Sequence, residues 1–300
     1  MSVHRPTRLT RRAALAALAG SALAAGLGGC GGDVAGGPAT VAGTSGPALT
    51  ADQQSALGAR LFAGAIDATG GAYRNPAAQA ALRSVAEPLF AAMPDPPLGW
   101  EIVLIDGERP SAWSLPGGKI AVNKGLIRVA DGESALAAAI AHEMGHTAQG
   151  HALAVLAGPE GAQQLDPAAR AALAAFDAQA GDIDALARML ARPLLTLALS
   201  GYGPGRERAA DRAIFTVFAR SGHEPAAAAR LLRALAALAA EDAPATTSLM
   251  TGVADTRNRA DSLDAAAAFS PLARRTPDGA AFATLRSVFP PRQPMQDDLA

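Results

Sequence analysis

Apolar residues are spread along most of this chain in long Ala-rich blocks, and only once do they gather into short β-branched runs. Ala has the highest helix propensity, so the blocks predict helices. A first helix, capped by Thr50 or Asp52, is expected to run to about Ile66. A second should span Pro76 to Met93, stopping before the Pro-rich "PDPPLG". The texture then changes. "WEIVLID" (100–106) is β-branched and apolar apart from Glu101 and Asp106, and "SAWSLPGGKIAVNKGLI" (111–127) reads as strand, Pro-Gly-Gly turn and strand. A helix resumes near Asp131 or Ser134 and should continue to about Ala157. Two Ala-rich helical stretches follow within 158–204. The more apolar, "LARMLARPLLTLALSGYG", is interrupted by Arg188, Arg192 and Pro193, so it predicts a buried helix and not a membrane span. Further helices are expected from Gly205 to Arg220, closed by Ser221-Gly222, then from Pro225 to Ala240 and from Ala280 to Val288. The fold class is α+β and mostly helical, with a small β-sheet or hairpin beside the helix that follows it.

Half of the 300 residues are hydrophobic, ample for one buried core. The net charge is -1 and no basic cluster follows the N-terminus, so nothing points to nucleic acid. The first thirty residues are set apart from the fold. An Arg-rich start precedes an apolar stretch from Ala13 to Leu27, then Leu27-Gly28-Gly29-Cys30, a secretory signal pattern ending like a bacterial lipobox. Cys30 is the only cysteine, so no disulfide can form within the chain, and lipidation explains it better than redox chemistry. Gly31, not Asp, follows it, which by bacterial sorting rules favours the outer membrane, with the chain on the periplasmic side. Thr10-Arg11-Arg12 resembles a twin-arginine export signal, although Ala14 stands where Phe is usual. Residues 31–50 are mostly Gly, Ala, Thr and Pro and read as a flexible tether. The organisation expected is a signal peptide (1–30), the tether (31–50), one domain (51–290) and a short tail (291–300).

Chemistry concentrates in "AHEMGHTAQGHALA" (141–154), which holds three of the chain's five histidines. His142 and His146 are one helical turn apart on one face, where two imidazoles can bind a single Zn²⁺. Glu143 stands beside them as a general base for water activated by the ion. His151 lies about 140° further round a continuing helix, which turns it away from that face. The longer zinc motif with a helix-breaking Gly and a third His would need them at 149 and 152, and Gln149 and Ala152 stand there instead. The third ligand is therefore sought in a distant acid. Glu207 and Asp211 in "GPGRERAADRAIFTVFARSGHEP" (203–225) are four apart on one face. Either could ligate the metal while the other supports a ligand histidine. Their alternative is a solvated face shared with Arg206, Arg208 and Arg212.

The combination of His-Glu-x-x-His with the later "ERAAD" resembles the HtpX-like and CAAX-prenyl-protease-like family of zinc metallopeptidases. The resemblance covers roughly residues 75–265. It implies a zincin-like core holding one Zn²⁺ per chain on His142, His146 and Glu207, with Asp211 supporting the site and Glu143 as the base. "SAWSLPGGKIAVNKGLI" is similar to that family's Asn-Ala-Phe-x-x-Pro-Gly-Gly region, which implies that Ala112, Trp113 and Ser114 bind extended substrate by strand addition. "ARSGHEP" resembles the family's Gly-x-x-Pro helix end, with His223 as a structural residue. The plan is similar to that of the family's soluble periplasmic lipoprotein members. Ser111 stands where Asn is frequent, and "VADTRNRADSL", the counterpart of a later loop, lacks the family's His-Pro dipeptide. The function implied is a zinc-dependent endopeptidase of the bacterial envelope acting on misfolded or misassembled proteins. The rival readings are a chaperone-like lipoprotein with a non-catalytic zinc site and a metal-free helical scaffold.

Overall fold

A computed structural model describes residues 49–93, 99–176, 181–241, 249–250, 252–270 and 277–291. The signal segment, Cys30, almost all of the tether and most of the tail lie outside the described residues. Helix α1 (Ala51–Ala68) begins with a capping box. Thr50 accepts from the Gln53 amide and Gln53 reaches back to the Thr50 N–H. In α2 (Pro76–Ala92), Asn75 caps two amides and Pro76 occupies the first turn, where its missing N–H costs nothing. The β region gives β1 (Glu101–Ile105), β2 (Ala112–Leu115) and β3 (Lys119–Asn123). The order is β1-β3-β2, with β1 and β3 parallel and β2 antiparallel to β3.

Period-two alternation splits the sheet's side chains between two cores. Ile102, Leu104, Ala112, Ile120 and Val122 face a core shared with α2 and α4 (Glu133–Ala148). Ile105, Trp113, Leu115 and Ala121 face a second core with α1 and α7 (Ile183–Ser200). The sheet is thus sandwiched between helices. Ser114 shares the pleat of Ala112, so its hydroxyl points at α4, while Trp113 is fully buried on the other side, edge-on to Phe62.

Three expectations need correction. The segment after β3 turns into a short helix, α3 (Lys124–Val129), where strand was expected to Ile127. The helix expected to reach Ala157 ends at Ala148, and α5 (His151–Ala157) starts in a new direction. Gly150 makes that turn in the left-handed region (φ 62°, ψ 28°), which costs an L side chain about 1–2 kcal/mol. The supposed loop "VADTRNRADSL" is the greater part of α10 (Val253–Ala267). Its polar sequence hides a buried face of Thr256, Arg259, Ala260 and Leu263.

The remaining helices are α6 (Pro167–Ala174), α8 (Pro204–Ser221), α9 (Ala226–Glu241) and α11 (Ala280–Val288). Helix α7 is amphipathic and not buried all round. Leu186, Leu190, Leu194 and Leu197 face the core, while Met189 and Leu199 are exposed. Among the described residues no helix is long and apolar enough to cross a membrane. Helix α4 is buried on every side, and α8 lies along it. Gly145 permits that approach: a Cβ there would sit 2.8 Å from the Ala213 Cβ and 3.0 Å from the Ala210 carbonyl oxygen.

Candidate metal centre

Two helices and one strand bring the chemistry together. Helix α4 carries His142, Glu143 and His146, α8 carries Glu207 and Asp211, and β2 supplies Ser114. His142 Nε2 lies 2.9 Å from His146 Nε2 and 3.2 Å from Glu207 Oε2, and His146 Nε2 is 3.6 Å from the same oxygen. Tetrahedral Zn²⁺ with bonds of 2.0–2.1 Å spaces its ligand atoms about 3.3 Å apart. The three observed separations bracket that value, so these residues fit the ion in both donor chemistry and spacing. They also form the one group of three or more His, Cys, Asp or Glu suited to a metal among the described residues. Asp211 is not a member of that group.

Each ligand is held by a further group. His142 Nδ1 is 2.9 Å from Asp211 Oδ1, which fixes the ring so that Nε2 faces the site. Glu207 Oε1 accepts the Tyr202 backbone N–H at 2.9 Å. Arg259, invisible as a site residue in the sequence, grips Asp211 with two bonds of 2.8 Å and comes within 3.4 Å of Glu207 Oε2. It is 1% exposed, yet its charge is matched by two carboxylates and its remaining donor reaches the Leu249 carbonyl. The other arginines named with Glu207 behave as surface groups: Arg206 pairs with Glu160 and Arg208 with Asp255.

Glu143 is buried next to His142 on α4. Its Oε2 accepts the Ser114 hydroxyl at 2.8 Å. The sequence had pointed to Ser114 only as a substrate contact. His151 requires a correction too. It is no member of the ligand group, but neither is it turned away: its Nδ1 lies 2.8 Å from His146 Nδ1, because the chain reverses at Gly150. His223 is buried against Phe218 and hydrogen-bonded to the Ser221 hydroxyl.

The site's electrostatics follow from burial opposed by charge. Burial disfavours the charged form of His142, yet Asp211 and Glu207 outweigh it and raise its pKa to about 9. Burial raises Glu143 to about 7, against the pull of His142 and the Ser114 hydrogen bond. Burial and the neighbouring His142 lower His146 to about 4. In Glu207 and Asp211 burial raises the pKa, but the histidines hold Glu207 far below the carboxylate range, and Arg259 with His142 holds Asp211 at about 2. At neutral pH the ionised Glu207 and Asp211 are therefore matched by Arg259 and protonated His142, and a divalent cation bound there would take the place of the His142 proton. Beside the site is a small, partly open cleft lined by Ser114, His146, Thr147 and Tyr202, among others.

Residues 73–277 match the family described as Peptidase family M48. This chain belongs to peptidase family M48. The match takes in all three ligand residues, Glu143, Asp211, Arg259 and strand β2, and the chain thus carries the zinc-dependent metallopeptidase site of that family. A stretch of 54 residues is also 43% identical to the mitochondrial metalloendopeptidase OMA1 of Schizosaccharomyces pombe, covering 18% of this chain and 16% of that protein. The M48 core depends on the close contact of α4 and α8. Gly145→Val is expected to force the helices apart, costing about 1–3 kcal/mol of stability and weakening zinc binding. Thermal melts and chelator competition would measure both, and an unchanged zinc affinity would count against this role for Gly145.

Proposed function

We propose that this M48 protein is an endopeptidase of the bacterial envelope, anchored through a lipid on Cys30 to the periplasmic side of the outer membrane, where it hydrolyses misfolded or misassembled proteins. The carrying observation is Glu143, a buried carboxylate next to a ligand histidine, oriented by Ser114 and in no ion pair among the described residues. A purely structural metal site has no use for such a group. His142, His146 and Glu207 would hold the zinc, which would supply Lewis acidity toward a peptide carbonyl and water. Glu143 takes the proton of the attacking water and delivers it to the leaving amine. A carboxyl poised near neutral pH can do both in turn.

Substrate is read through the backbone. Strand β2 is the outer strand of the sheet, and Ser114 ties it to Glu143. An extended peptide added along Ala112, Trp113 and Ser114 would pass the base. Because the Ala112 and Trp113 side chains point into the cores, pairing there tolerates varied sequences. Helix α7 packs on the Trp113 and Leu115 face of β2. A chain that has lost its fold offers many extended segments of that kind. A reduced and alkylated protein is expected to be cleaved at least tenfold faster than its folded form. Equal rates would contradict the substrate class, and binding without cleavage would favour the chaperone-like alternative. Palmitate labelling that survives Cys30→Ser would contradict the anchor.

A further inference from the structure

We propose that His151 is a positioning residue for the metal centre, accepting a hydrogen bond from His146 that holds the His146 ring in the zinc-binding tautomer. This rests on the metal-site reading above. The two ring nitrogens of His146 face different ways. Nε2 faces His142 Nε2 at 2.9 Å and Glu207 Oε2 at 3.6 Å, which is the ligand side. Nδ1 faces His151 Nδ1 at 2.8 Å. A neutral imidazole carries one proton, and a nitrogen that binds metal must offer its lone pair. The proton of His146 therefore sits on Nδ1 and is donated to His151, whose own proton then sits on Nε2.

His142 is held in the same way by a different group, since its Nδ1 meets Asp211. The two supports differ in charge. Asp211 is an anion balanced by Arg259, whereas His151 is a neutral acceptor that adds no negative charge beside Glu207. The ion's positive charge is thus spared for the substrate. The placement of His151 is built into the chain. Gly150 turns in the left-handed region, His151 opens α5, and its ring is buried 5.0 Å from the ring of His146 and 6.2 Å from that of Tyr202.

The test compares His151→Ala and His151→Gln by zinc competition against a chelator. Loss of the acceptor is expected to weaken binding about 10- to 100-fold. Gln, whose amide oxygen can accept the same bond, should recover most of the loss. Ala within twofold of wild type, or Gln as weak as Ala, overturns the proposal. The zinc-loaded wild type gives a second readout, independent of whether either variant folds. With ¹⁵N-labelled histidine, His146 Nδ1 should be protonated and coupled across the hydrogen bond to His151 Nδ1. An unprotonated His146 Nδ1 overturns the proposal. His146→Ala serves as the control: if it keeps zinc at wild-type affinity, the metal-site reading fails and not merely the role of His151.

Discussion

Glu143→Gln is expected to lower kcat for casein hydrolysis by about 10²–10⁴-fold, the usual contribution of a positioned general base. Zinc content should not change, because Glu143 is outside the ligand group. The fold should not change either, since the Gln amide oxygen can still accept the Ser114 hydroxyl that Glu143 accepts at 2.8 Å. KM should move little, because the lost proton transfer acts in the transition state and not in binding. Activity equal to wild type, with zinc bound in both, would remove Glu143 from the reaction.

The second large effect concerns stability. Arg259→Leu leaves the buried Asp211 carboxylate without its bidentate partner, and breaking a buried pair from one side costs about 3–5 kcal/mol. The melting temperature should fall by about 6–20 °C. Zinc should also bind more weakly, because Asp211 orients His142. Adding Asp211→Asn should restore part of the stability by removing the stranded charge, a coupling that a double-mutant cycle measures. The pair also has a pH signature. Its folded carboxyl is held at about 2 against an ordinary 3.8, so its stabilisation is complete above about pH 4 and is lost as pH falls toward 2. A melting temperature within about two degrees of wild type would show that Arg259 does not hold Asp211 and the α8–α10 contact together.

What could be read from the sequence was what is local. The Thr50 cap, the Pro-Gly-Gly turn, the His142–His146 spacing and the Glu207–Asp211 spacing all depend on neighbours a few residues apart. What could not be read depends on direction or on distant partners. The Ala-rich pattern runs through Gly150 without a break, so one helix was expected where two stand, and His151 was assigned to the wrong side. Helix α10 looks solvated because its buried Arg259 and Thr256 are polar; only Asp211, 48 residues away in sequence, makes Arg259 a core residue. Ser114 acquires its bond to Glu143 through the pleat of β2, a relation that appears only when the strand is packed on α4.

The central claim is that two histidines and one distant glutamate hold zinc beside Glu143. X-ray absorption at the zinc edge of the purified, zinc-loaded protein tests it most directly. The account predicts two imidazole nitrogens and a carboxylate oxygen in the inner shell, with the carboxylate contribution lost in Glu207→Ala and the imidazole count unchanged in His151→Ala. A third imidazole that disappears with His151, or a shell indifferent to Glu207, would contradict it.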